Sequence, residues 1–202
     1  MTKYEGGMLK AIELYLEGKT TRKFGVLLID EQSEDNKPNP RTAAQLKVLA
    51  LAWQRSLKTI LIEINPKMTA ETRKPTNSAL AREAPPGTEV FFKAGFNAFG
   101  RIDSSGKAKG EWNEDNKGRS LLDASLRQAG VNELIIMGRV GQQCVKLTAV
   151  GGSEKRNNAP PVTTGATGFG YQVWTCPLLI DSGGSPWLDW YDQFGVKCYT
   201  AL

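Results

Sequence analysis

Residues 133–150 read ELIIMGRVGQQCVKLTAV. Leu134-Ile135-Ile136-Met137 is an unbroken apolar run, the pattern of a strand buried on both faces. The run breaks at Gly138, passes through Arg139-Val140-Gly141 and resumes as a helix-like segment with Cys144 near its start. A strand that turns directly into a helix is where an α/β protein keeps its chemistry. First-turn amides lack intrahelical partners and can hold an anion, and the same field lowers the pKa of a cysteine placed there. Cys144 therefore has two readings: a nucleophile at a helix start, or a small hydrophobe behind a buried strand.

Working outward, the same pattern recurs. Residues 24–30 (FGVLLID), 58–64 (KTILIEI), 89–92 (EVFF), 171–181 (YQVWTCPLLID) and 196–200 (VKCYT) read as further strands, with Pro177 marking an edge or a bulge. Helical spacing covers 8–17, ending at Gly18, and 41–57, where Ala44, Leu46, Leu49, Ala50 and Trp53 share a stripe. It also covers 119–128, closed by Gly130, and 185–194, with Ser185 as N-cap and Pro186 in the first position. Strands and helices alternate, so the fold class is α/β: a mostly parallel six-stranded sheet between two helical layers, with right-handed crossovers. The proline-punctuated stretch 65–87 reads as a loop, either a lid or a surface excursion, and 151–170 as a second loop insertion.

Composition narrows the function. The 202 residues, 40% of them hydrophobic, suit a single domain over 1–202. No apolar run approaches a membrane span, and MTKYEGGMLK lacks the apolar stretch of a signal peptide, so the expected compartment is cytoplasmic. Three widely spaced cysteines, Cys144, Cys176 and Cys198, argue against a disulfide framework or a CxxC metal site. The net charge of +5 is spread along the chain with no interleaved basic and aromatic motif, so nucleic acid is not an expected partner. Histidine is absent, which removes His-based acid–base catalysis and the usual zinc sites.

Asp30 ends the first of these strands, Lys93 the third, and Cys144 follows the fourth. In a parallel sheet all three belong to the carboxyl edge, where such folds bind ligands. A lysine cation favours a thiolate, an aspartate can shuttle the thiol proton, and a cysteine can attack a carbonyl. Each has a plainer reading too, since strand-end aspartates form turns and strand-end lysines are ordinarily solvated. The conjunction carries the inference.

Taken in order, FGVLLIDEQ with Asp30 and Gln32, FFKAGFNAF with Lys93, LLDASLRQAGVNELIIMGRVGQQCVKLTAV with Cys144, and GYQVWTCPLLID resemble the isochorismatase-like cysteine hydrolases. That superfamily includes nicotinamidases and N-carbamoylsarcosine amidases, and the resemblance runs over about residues 24–181. It implies a Rossmann-like three-layer sandwich and a catalytic triad of Asp30, Lys93 and Cys144. It also implies a cis peptide between Arg139 and Val140, and an oxyanion hole from the amides of Val140 and Cys144. Gln32, Phe99, Arg139 and Gly141 are the candidate substrate-pocket residues. Nicotinamidase relatives bind a metal through an Asp and two His after the second strand; here that region reads IEINPKMTAETRK, so neither that metal site nor any other cofactor is expected. Gly141 replaces a common Thr, Arg139 a common small apolar residue, and the 151–170 loop is longer than usual.

The expected activity is cleavage of a C–N bond in a small amide or carbamoyl substrate through a thioester-type intermediate. Isochorismatase-type vinyl ether hydrolysis is the alternative in the same fold, with basic residues such as Arg139 or Lys67 suiting an acidic substrate. A non-enzymatic binding member of the fold is the third reading. The resemblance also implies a homo-oligomer, dimer or larger. The aromatic segment around Trp187, Trp190 and Tyr191 would pack either on a neighbour or on its own sheet.

Overall fold

The computed structural model describes residues 4–18, 21–32, 39–64, 74–93, 95–99, 121–153, 162–181 and 194–202. In chain order the elements are β1 (Tyr4–Gly7), α1 (Met8–Glu17), β2 (Phe24–Ile29), α2 (Pro40–Gln54), β3 (Lys58–Ile64), α3 (Ser78–Glu83), β4 (Glu89–Lys93), α4 (Leu121–Gln128) and β5 (Glu133–Gly138). A π-helical turn, Gly141–Val145, then leads into α5 (Lys146–Val150), β6 (Gly152–Ser153), β7 (Val162–Thr163), β8 (Gln172–Thr175), a short 3₁₀ turn and β9 (Lys197–Ala201). Residues 185–193 of the expected helix, with the aromatic Trp187, Trp190 and Tyr191, and Lys67 lie outside the described residues.

Six of these strands make the predicted parallel sheet flanked by helices, and the short β1 extends it at the β9 edge, giving the order β1-β9-β8-β5-β2-β3-β4. Every pairing within this sheet is parallel. β2 and β5 lie side by side at the centre, Phe24 opposite Glu133 and Ile29 opposite Gly138. All residues of both strands are buried, which is why their sequences are continuous apolar runs with no alternation.

Several expectations need correction. The stretch 65–87 is not all loop: Asn77 accepts from the Ala79 N–H at 3.0 Å and starts α3, an N-cap signal legible in the sequence. The strand expected over 171–181 stops at Thr175, because Pro177 has no N–H for a ladder and opens the 3₁₀ turn instead. Only Ile180 rejoins the sheet, through a bridge to Gly138. α2 begins one residue earlier than expected, with Asn39 capping Thr42 and Pro40 in the first turn, and ends at Gln54. Its buried face is Ala44, Gln45, Val48, Leu49, Leu51 and Ala52; Trp53 lies on the outer face, half exposed. The stripe is rotated because the polar Gln45 points inward to hydrogen-bond partners.

One glycine is dictated by the close approach of the two central strands. Gly138 has φ +131, and a Cβ built there would lie 2.1 Å from the Ile29 carbonyl oxygen. Gly138→Ala is therefore expected to lower stability by at least about 3 kcal/mol, seen as a fall in Tm. An unchanged Tm would contradict the packing of the two strand ends.

Candidate active site

The carboxyl edge of the sheet brings the three candidate catalytic side chains together. Asp30 leaves β2 in a left-handed conformation, φ 52, its N–H donating to Ile62 O at 2.8 Å. Aspartate tolerates that conformation better than most residues, and it turns the carboxyl group over the end of the sheet. Lys93 ends β4, two strands away. Parallel strands lie about 4.8 Å apart, so only a long side chain spans that distance. Its Nζ sits 2.7 Å from Asp30 Oδ2, and it also donates to the carbonyls of Gly95 at 3.0 Å and Phe96 at 3.3 Å. Lys93 is 1% exposed, so the resemblance-based placement overrides the ordinary solvated lysine.

Cys144 lies in the π-helical turn after β5 and is 6% exposed. The turn carries i→i−5 bonds, from Val145 N–H to Val140 O at 3.2 Å and from Lys146 N–H to Gly141 O. A π-turn is a local widening of a helix that recurs at functional sites. The Arg139–Val140 peptide preceding it is cis. The Cys144 thiol and the Asp30 carboxyl group are close enough for each to shift the other's ionisation. The Lys93 ammonium pairs with Asp30 Oδ2 as an ion pair, and among the described residues no donor is aligned to hydrogen-bond either buried Asp30 oxygen. Other buried carboxylates are held differently. Glu63 accepts from Thr76 N–H and Oγ1 at 2.9 and 3.1 Å, and Asp123 from Tyr171 Oη at 2.7 Å and Arg127 Nε at 2.9 Å. Glu133 is held by Arg22 and Trp174. Asp30 is thus the buried acid whose partners are themselves chemically useful.

The electrostatics depart from the expected thiolate. Burial pushes the Cys144 thiol up to about 11; Lys93 opposes this, while the Asp30 charge and hydrogen bond add to it. Burial also raises Asp30 above the usual carboxylate range, against the pull of Lys93 and the Cys144 hydrogen bond, and the neighbouring Glu31 raises it further. Cys144 therefore rests as a thiol beside Asp30, because desolvation and the Asp30 charge outweigh the pull of Lys93.

The candidate pocket residues divide by their contacts. The Gln32 amide brackets the end of β3, donating to Ile64 O at 3.0 Å and accepting from Ile64 N–H at 2.8 Å, and also donates to Lys74 O. Phe99 is buried, stacked 5.2 Å from Phe169 and 5.9 Å from Tyr171. Arg139 is partly exposed with Nε 3.9 Å from Asp181 Oδ2, and Gly141 N–H donates to Asp181 O at 2.7 Å. Sequence reading missed Glu31, Arg41, Gln45 and Asp181, which surround the triad. Their signal was thin: Glu31 sits beside Asp30, and Asp181 ends an apolar stretch as Asp30 does. Among the described residues no three His, Cys, Asp or Glu side chains cluster as metal ligands, and no helix is long and apolar enough to cross a membrane.

No protein-family model and no curated protein sequence matches this chain. Solved structures do. An isochorismatase family protein from Desulfovibrio vulgaris is similar with TM-score 0.58 at 15% identity, over 88% of this chain and 94% of that one. The N-carbamoylsarcosine amidase from Thermoplasma acidophilum is similar with TM-score 0.56 at 14% identity, over 88% and 95% of the two chains. The YcaC gene product from Escherichia coli, described as an octameric hydrolase of unknown specificity, has TM-score 0.56 at 22% identity, over 89% and 76%. The chain has the isochorismatase-like fold, the one the resemblance of its sequence implied.

The opposed influences on the thiol make a signed prediction. Asp30→Asn removes the charge that raises Cys144, so its titration should fall below about 11. Lys93→Met removes the charge that lowers it and should move the titration upward. Thiolate ultraviolet absorbance, taken as the difference from Cys144→Ser, reads both; shifts of the same sign would refute the arrangement.

Proposed function

We propose that this chain is a cysteine hydrolase that cleaves a C–N bond in a small amide or carbamoyl compound. The observation that carries the reading is the buried Lys93–Asp30 pair at 2.7 Å with the Cys144 thiol facing the same carboxylate. In the first half-reaction Cys144 Sγ bonds to the substrate carbonyl carbon as its proton passes to Asp30. The tetrahedral oxyanion is received by the amides of Val140 and Cys144. Collapse breaks the C–N bond, and the proton on Asp30 goes to the departing amine. Water then attacks the thioester, giving one proton to Asp30, and the C–S bond breaks as that proton returns to sulfur and the acid leaves.

The thiol's high pKa fits this scheme. A nucleophile deprotonated only as it attacks needs an adjacent ionised acid, and Lys93 favours the ionised form of Asp30. No metal takes part in the proposed reaction: the chain contains no histidine, and the buried Glu63 carboxylate is engaged by Thr76. Arg139 is the pocket residue best placed to meet a polar substrate group, being partly exposed beside the nucleophile turn. We also propose a cytoplasmic enzyme that self-associates; the octameric assembly stated for the similar Escherichia coli protein supports that last point.

An amide panel scored by ammonia or amine release tests the activity, with intact-mass detection of an acyl adduct on Cys144. Cys144→Ala should reduce turnover by roughly 10³-fold or more and abolish the adduct. Pyruvate release from isochorismate without amide turnover would establish the vinyl ether reading instead. No turnover, with Cys144 alkylated no faster than Cys176 or Cys198, would favour a binding protein.

A further inference from the structure

A second charged assembly borders the triad and has no part in the scheme above. Glu31 follows Asp30 directly and is 3% exposed. Arg41, in the first turn of α2, donates Nε to Glu31 Oε1 at 2.8 Å and Nη2 to Oε2 at 3.3 Å. The same guanidinium places Nη1 3.5 Å from Asp181 Oδ2. Gln45, one turn along α2, donates to Glu31 Oε1 at 2.8 Å and to Leu179 O at 3.0 Å. Asp181 encloses the nucleophile turn from both sides: its N–H donates to Gly138 O at 2.9 Å, and its carbonyl accepts from Gly141 N–H at 2.7 Å. Arg41 is therefore bonded at once to the residue beside the acid and to the residue whose backbone holds the turn carrying Cys144.

We infer that Arg41 is a positioning residue for the proposed hydrolysis: by gripping Glu31 and Asp181 together it keeps acid and nucleophile in register and screens Asp30 from the charge of its neighbour. The inference rests on the hydrolase reading. A planar guanidinium makes this forked, two-sided contact, whereas a lysine supplies only a point charge. Among the described residues the charged or titratable groups facing Asp30 are Lys93, Cys144 and Glu31, and those facing Glu31 are Arg41 and Asp30, with Gln45 adding a neutral amide. With Arg41 gone, the Glu31 charge would act unscreened, in the direction in which it already pushes Asp30.

The test is the pH dependence of Cys144 alkylation by iodoacetamide in the full chain, beside turnover of the best amide from the panel. The acid limb of the turnover profile reports ionisation of Asp30, and the alkylation profile reports ionisation of the Cys144 thiol. Arg41→Met is expected to move that limb up by about one pH unit, and Arg41→Lys to hold it near wild type with turnover still reduced. Loss of Arg41 leaves a buried charge unpaired and can prevent folding, so a second pair of variants carries the same comparison. Glu31→Gln should move the limb down, by removing the charge that raises Asp30 and leaving the Arg41 cation opposed by Asp181 alone, and Glu31→Gln with Arg41→Met should bring it back. An active enzyme whose limb is the same in these two variants overturns the role of Arg41 alone. A wild-type Cys144 that titrates like an ordinary thiol, in a chain that hydrolyses no amide, overturns the hydrolase reading and the role of Arg41 with it.

Discussion

The ion pair between Lys93 and Asp30 is the constraint around which the carboxyl edge is built. Both side chains are buried, and taking two charges out of water costs several kcal/mol each before their attraction returns part of it. Such a pair contributes little net stability. It persists because the fold satisfies the lysine from three sides, through Asp30 and the carbonyls of Gly95 and Phe96. The segment supplying those carbonyls is anchored in turn: Asn97 donates to Thr164 O at 3.1 Å, and Ala98 N–H donates to Thr148 Oγ1 at 3.0 Å on α5. The helix that follows Cys144 therefore also supports the loop that positions the Lys93 cation.

Burial acts on the two proton-exchanging groups in the same direction. It raises Asp30 and raises Cys144, and the lysine opposes both shifts. A proton shared between neighbours of this kind has short distances to travel and low-dielectric surroundings, conditions under which preorganised charges act strongly. The proposed chemistry thus needs no standing thiolate, and a buried thiol is protected from adventitious oxidation, which follows thiolate character and exposure. Cys176, fully buried and also raised to about 11 by burial, has no such pair beside it in its hydrogen bonding. Burial alone does not make a nucleophile.

The turn carrying Cys144 is held from outside by one residue of the following strand region. Asp181 bonds backbone to backbone with Gly138 and Gly141 while its side chain meets Arg41 and Arg139. Early termination of β8 by Pro177 makes this possible, because the chain leaves the ladder and returns at Ile180 beside Gly138. A fold shared with amidases and with other hydrolases does not by itself choose a substrate.

The parallel sheet and the placing of Asp30, Lys93 and Cys144 at its carboxyl edge were legible in the sequence. Continuous apolar runs announce central strands, and polar residues that close such runs fall on one edge by the topology of a parallel sheet. What sequence reasoning could not supply was the sign of the thiol's shift, because desolvation and the Asp30 charge depend on atoms far apart in the chain. Nor did it find Gln45 facing inward on α2, or Gln32 spent on the backbone of Ile64, since helical periodicity assigns polar residues to the surface unless their partners are known. The bridge from Arg41 to Glu31 and Asp181 joins positions separated by up to 150 residues. Only the tertiary structure decides it, because a guanidinium commits to its partners through geometry and not through spacing along the chain.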